Sequence, residues 1–231
     1  MKKEPDNLER KIALISRAVV FKGLSGSAQK DFANLAVSVR YTKKEIVFES
    51  HEPCSAFILV EQGLIRVSMY SALGKRLTYL LAGPGEPINL VGPFTGAQRS
   101  YVAEAVLDTT ILSVSRKDFL AFAFANHQLI INIIDILGHA VDSSNTRILD
   151  MMGKKVIQRL KRVLHTLFQK FGPTLNFTAE EIGELASTTT ESSLRVLTDL
   201  RNKGIIDKSR GQIHIQKPEA LIDPEDDELW I

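Results

Sequence analysis

Short apolar segments recur from about Phe21 to Val114, with turn residues between them: EIVFES, AFILVEQG, LIRVSMYSALGK, RLTYLLAGPG, RSYVAEAVLD and TTILSVS. In LIRVSMY, Ile65, Val67 and Met69 alternate with Arg66 and Ser68, the pattern of a half-buried strand. SALGKR, between two such runs, predicts a hairpin turn in which Gly74 takes positive φ. Ala82-Gly83-Pro84-Gly85 is a second breaker. Several short strands at this spacing point to a small sandwich or barrel.

From about Ser115 to Met152 the period becomes helical, with Ser115 as the cap. Ile130, Ile134, Leu137, Val141, Ser144, Ile148 and Met151 follow one another in alternating steps of four and three. That heptad seam predicts a coiled-coil homodimer. Ile133 and Ile136 widen the stripe and are expected to pack on the β-domain, and Ser144 is the single polar seam position. The bland alternative is a long core helix without a partner.

Beyond Gly153, an amphipathic helix runs from Lys155 to Phe171 and ends at Gly172-Pro173. Val156, Leu160, Val163, Leu164, Leu167 and Phe168 form its apolar face. Lys154, Lys155, Arg159, Lys161, Arg162 and Lys170 form a basic face without the acidic partners of a salt-bridged surface, so a polyanion contact is expected there. Arg162 in particular is expected to touch phosphate.

The segment Phe177–Ile206 carries the most information. Thr178 and Glu181 have the spacing of a capping box. Ile182, Leu185 and Ala186 face inward, Ser187-Thr188-Thr189 breaks the helix, and a second helix begins at Thr189 or Thr190 with Leu194, Leu197 and Leu200 inward. Two short helices around a small polar turn are a helix-turn-helix. Thr190, Glu191, Ser192 and Arg195 are exposed at the start of the second helix, with chemistry suited to base edges. Arginine favours guanine acceptors and glutamate accepts from the cytosine amino group. Thr178, Thr188 and Thr189 are placed for phosphates near helix N-termini. IIDKSRGQIHI predicts two strands of a β-wing that carries Lys208 and Arg210 to the DNA backbone.

Composition narrows the field. The 231 residues have a formal net charge of +2, but Asp150 to Lys217 holds about five more basic than acidic groups, and the stretch from Glu219 onward is acidic. One cysteine, Cys54, excludes an intramolecular disulfide and an iron–sulfur cluster held by several thiolates of one chain. It fits a reducing cytoplasm. No apolar run has the length of a membrane span. A metalloenzyme on a β-roll needs two or three histidines, and His51 is the only histidine before residue 127. No catalytic motif and no metal-ligand spacing is present, and no cofactor is predicted with certainty.

The order of parts is similar to the Crp–Fnr family of bacterial transcriptional regulators: the short strands, VEQGLIRV, the GPG turn, RSYVAEA, the long helix, then TAEEIGELASTTTESSLRVL. The resemblance covers about Phe21 to Ile215. It implies an α+β chain with a β jelly-roll of the cyclic-nucleotide-binding kind (1–114), a dimerisation helix (115–152), a winged helix-turn-helix (153–218) and an acidic tail (219–231). It implies double-stranded DNA and RNA polymerase as partners, with Glu191 and Arg195 as the main base-reading pair. Thr190 stands where cyclic-AMP-type members carry an arginine.

For the effector, the resemblance places Asn89 and Leu90 where the family has a Gly-Glu pair that binds ribose. Arg99-Ser100 match its phosphate pair, and Ser144 and Asn145 fall at its adenine contacts; Tyr101 lines the same cavity or packs in the sandwich. Leu90 accepts no hydrogen bond, and an unpaired buried hydroxyl costs about 1–3 kcal/mol. That disfavours cyclic AMP and leaves a small organic anion, because arginine binds carboxylate in a fork. A haem-based sensor, drawing on His51, Cys54, His127 or His139, and a constitutive DNA-binding dimer are the alternatives.

Overall fold

The computed structural model describes residues 2–3, 7–74 and 76–222. Lys75 of the hairpin and most of the acidic tail, from Asp223 to Ile231, lie outside the described residues. The chain divides into two units, Met1–Gly74 with Thr78–Gly138, and Lys75–Leu77 with His139–Ile231.

The first unit opens on a two-residue strand, β1 (Lys2–Lys3), and two helices, α1 (Leu8–Ile15) and α2 (Gly26–Leu35). Asn7 and Ser25 cap the helices by accepting from the N–H groups of Arg10 and Ala28. The β-structure expected from Phe21 therefore begins only at Val37. α2 buries just Ala28, Phe32 and Ala33, too sparse a stripe to show a helical period.

Strands β2 (Val37–Tyr41), β3 (Ile46–Phe48), β4 (Ala56–Gln62), β5 (Ile65–Tyr70) and β6 (Arg76–Ala82) follow, then a short helix α3 (Gly92–Thr95) and strands β7 (Val102–Ala105) and β8 (Thr109–Ser115). They form two sheets, ordered β1-β2-β8-β4 and β3-β7-β5-β6. Each apolar segment of the sequence pattern has become a strand, and Gly74 takes φ 73° in the hairpin. Phe21, Phe32, Phe57 and Phe119 centre the core, with Phe57 and Phe119 stacked at 4.5 Å. The alternation in β5 is not half-buried as expected: Arg66 and Ser68 are buried alongside Ile65 and Val67, while Met69 is exposed. Arg66 is accommodated because it faces Glu104 across the ladder and donates to its carboxylate at 3.2 Å.

Ser115 caps α4 (Arg116–Ala125) through the Asp118 N–H. The predicted single helical region is two helices, because α5 (His127–Gly153) leaves α4 at 105°. Leu129 and Ile133 enter the core of the first unit, with Ile136 half-buried against it as expected.

The second unit contains α6 (Val156–Phe171), β9 (Thr174–Leu175), α7 (Ala179–Leu185), α8 (Thr190–Asn202), β10 (Ile206–Ser209) and β11 (Gln212–Ile215). The three helices pack around Leu160, Leu164, Leu167, Ile182, Leu197 and Leu200. The wing is an antiparallel hairpin of β10 and β11. β9, too short to leave a sequence signal, pairs with β11 as a third strand.

Candidate nucleic-acid interface and effector pocket

The capping box at Thr178 is formed. Its N–H donates to Glu181 Oε2 at 2.8 Å, and its hydroxyl oxygen accepts the Glu181 N–H at 3.2 Å. Thr189 caps α8 by accepting from Ser192 N–H at 3.2 Å. Between the helices, Ser187 takes φ 52° and the Thr188 N–H donates to the Gly183 carbonyl at 2.8 Å. A Cβ on residue 183 would lie 3.3 Å from Ser193 Cβ, so the two helices meet through their smallest side chains.

That contact sets the rotation of α8. Ser193, Val196, Leu197 and Leu200 are buried, while Thr190, Glu191, Leu194, Arg195 and Thr198 are exposed; Ser192 is half-buried. Leu194, expected inward, is 42% exposed. Ser193 occupies the inner position because only a small side chain fits against Gly183. Hydrogen bonds from its own backbone N–H and from Thr189 hold the Glu191 carboxyl below its usual range, so it is anionic at neutral pH. Thr189 is exposed and Thr188 half-buried; on the wing, Arg210 is exposed and Lys208 half-buried.

Two arginines of the basic face of α6 are engaged within the protein. Arg162 is 4% exposed, and its Nη1 lies 2.9 and 2.7 Å from the two carboxylate oxygens of Asp150. Its expected phosphate contact is therefore corrected to a buried ion pair. Arg159 donates to the carbonyls of Lys154 at 2.8 Å and Ala186 at 3.0 Å. Arg147 of α5, which the sequence pattern did not single out, donates to the Leu185 carbonyl at 3.1 Å, and burial lowers its pKa. Arginines on two helices thus satisfy carbonyls at the C-terminal end of α7, where the helix leaves them unpaired. The partners of Arg159 and Arg162 are main-chain oxygens and a residue of the preceding helix, which no surface-charge pattern displays.

In the first unit, Asn89, Gly92, Arg99, Ser100 and Tyr101 line a cavity of about 100 Å³. The Asn89 amide donates to Cys54 Sγ at 3.1 Å and accepts the Gly92 N–H at 3.0 Å. A Cβ on residue 92 would lie 2.5 Å from the Asn89 amide nitrogen, which leaves room only for glycine. Arg99 is 7% exposed; it stacks 4.2 Å from the Phe48 ring centroid, donates to the Pro53 carbonyl at 3.0 Å and lies 3.7 Å from Glu52. Its Nε is buried without a hydrogen-bond partner. Burial raises the pKa of Tyr101 and pushes that of its neighbour Tyr79 up to about 12, so both phenols keep their protons. Leu90 does not line this cavity. It packs in the hydrophobic core, an apolar side chain at a site that a ribose contact would need polar. Ser144 and Asn145 are exposed on α5 in the second unit, and the Ser144 hydroxyl donates to the Ala140 carbonyl of its own helix at 2.8 Å.

Along α5, Ile134, Val141, Ile148 and Met151 are 63%, 59%, 51% and 47% exposed in the single chain; Ile130 and Leu137 are half-buried. Among the haem-ligand candidates, Cys54 is buried, whereas His51, His127 and His139 are exposed. Among the described residues no group of three or more His, Cys, Asp or Glu is placed to hold a metal ion. No single described helix is long and apolar enough to cross a membrane.

Comparison with known proteins agrees with both units. Residues 38–126 match the cyclic nucleotide-binding domain, and residues 158–223 match the Crp-like helix-turn-helix domain. A cyclic AMP receptor protein of Thermus thermophilus is 25% identical over 182 residues, covering 78% of this chain and 84% of its own. FixK2 of Bradyrhizobium japonicum has the same fold, with TM-score 0.72 at 21% identity over 80% of this chain and 95% of its own. So does the c-di-GMP-responsive regulator CLP of Xanthomonas campestris, with TM-score 0.72 at 17% identity over 83% and 99%. A cyclic-nucleotide-binding β-domain followed by a Crp-like helix-turn-helix defines a DNA-binding transcriptional regulator. The chain belongs to the Crp–Fnr family.

Proposed function

We propose that this regulator acts as a homodimer on a two-fold-symmetric operator and responds to a small organic anion, not to cyclic AMP. The observation that carries the reading is the seam of α5: four of its apolar positions stand about half exposed or more, at heptad spacing, on a helix that no described residue covers there. Such a surface is stabilised by a second copy of itself. Two equal base-reading helices then favour a palindromic site, with half-sites about one DNA turn apart. Thr178, Thr188, Thr189, Lys208 and Arg210 are assigned to phosphates, and Thr190, Glu191, Ser192 and Arg195 to base edges. RNA polymerase is the partner expected of the family.

For the effector, Arg99 is a buried guanidinium among the residues that line a cavity whose size suits a small carboxylate better than a nucleotide. Leu90 in the core removes the ribose acceptor, a deficit worth one or two decades of affinity. The family resemblance adds Ser144 and Asn145 as expected effector contacts.

The test is native mass spectrometry of the full chain, followed by operator titrations with cyclic AMP and with a panel of small carboxylates. A dimer is expected whose operator affinity rises with a carboxylate, and Arg99→Ala should abolish that response. A monomer would sink the dimer assignment. A response to cyclic AMP at micromolar concentration would sink the anion assignment, and affinity indifferent to every addition would favour a constitutive regulator.

A further inference from the structure

Leu194 departs from the polar character of the face on which it stands. The inner side of α8 is complete without it, since Ser193, Val196, Leu197 and Leu200 are the buried residues. Leu194 is 42% exposed, three positions after Glu191 and one before Arg195. Residues three or four apart share a helix face, so Leu194 stands beside Glu191, level with Thr190 and Thr198, which are also exposed. Its backbone carbonyl accepts the Thr198 hydroxyl at 2.8 Å, which turns that polar group towards the helix axis and away from the outer face. Glu191 and Arg195 supply an acceptor and a donor fork for base edges. Next to Glu191, on the side away from Arg195, the face presents an apolar side chain.

We propose that Leu194 is a specificity-determining residue that reads the C5-methyl group of a thymine in each half-site. The major groove contains one apolar group, and it belongs to thymine. An apolar side chain held at the groove floor gains by covering that methyl and leaves a cytosine amino group or a purine edge without a partner. The inference rests on the assignment of α8 as the base-reading helix.

The experiment begins with selection of binding sites by the full-length wild-type protein from random duplex DNA. Each thymine of the enriched site is then replaced singly by deoxyuridine, which removes the methyl and nothing else. Wild type should lose about fourfold in affinity at one thymine per half-site, the equivalent of about 0.8 kcal/mol for one buried carbon. Leu194→Ala should bind the thymine and uracil duplexes equally at that position, yet keep its discrimination at the bases read by Glu191 and Arg195. Leu194→Met should retain most of the thymine preference. An unchanged melting temperature for both variants shows that the fold is intact. Wild-type indifference to every uracil substitution, or equal sensitivity in Leu194→Ala, overturns the role of Leu194 alone. Failure of the wild type to enrich any sequence overturns the base-reading assignment of α8, and this inference with it.

Discussion

Arg162 illustrates how burial reassigns a residue. In the sequence it is one of a row of cations on α6, and a row of unpaired cations next to a helix-turn-helix reads as a phosphate surface. In the fold it is almost wholly covered and bonded to Asp150. Removing one partner of a buried ion pair leaves the other charge in a poorly solvated place, which costs about 3–5 kcal/mol. Lys154, 3.9 Å from Asp150, would compensate for part of that. Arg162→Ala should therefore lose about 3 kcal/mol in urea unfolding, while the salt dependence of DNA binding by the folded protein stays as in wild type, because no phosphate contact is lost. A shallower salt dependence with unchanged stability would restore the phosphate role. The residues assigned to base edges were legible as an exposed cluster because they are close in sequence: Thr190, Glu191 and Arg195 occupy one turn and a half of one helix. Leu194 was not, because apolar character is read as burial, and only the Gly183–Ser193 approach shows which neighbour faces inward.

At the scale of elements, the strands were legible for a simple reason. Each is a short apolar run ended by a turn, and Gly74 and the Gly83-Pro84-Gly85 turn punctuate them. The bend between α4 and α5 was not legible, since Asn126-His127 contains neither glycine nor proline to announce it. α5 does hold a glycine, Gly138, near the middle of its 27 residues. The two units divide there, after Gly138. A Cβ at this position meets nothing within 4 Å, and the backbone is not left-handed. Glycine inside a helix costs about 0.5–1 kcal/mol relative to alanine. Gly138→Ala should accordingly stabilise the protein by about that amount in thermal or urea unfolding. A destabilised variant would mean that a partner helix of a dimer approaches the backbone at Gly138, because the described residues offer nothing to clash with.

For the whole molecule, the formal charge of +2 conceals a basic DNA-binding half, and the apolar face that looks idle in one chain lies along the helix next to that half. The two features belong together if DNA affinity comes from pairing two weak readers. One recognition helix engages half a site, and linking two of them makes the second contact intramolecular, worth on the order of 100-fold or more in affinity. Ile148, 51% exposed in the seam, is the position to test. Ile148→Asp places a charge where two copies would bury it, and in the exposed setting of a single chain it costs little. The variant is expected to sediment as a folded monomer. Wild type should bind a full palindrome on the order of 100-fold tighter than an isolated half-site, whereas Ile148→Asp should bind the two duplexes alike. Its remaining half-site binding should still depend on Arg195, since the reading helix is untouched. A variant that stayed dimeric, or that kept the wild-type preference for the palindrome, would show that the seam is not what joins the readers, and the symmetry of the operator would then need another source.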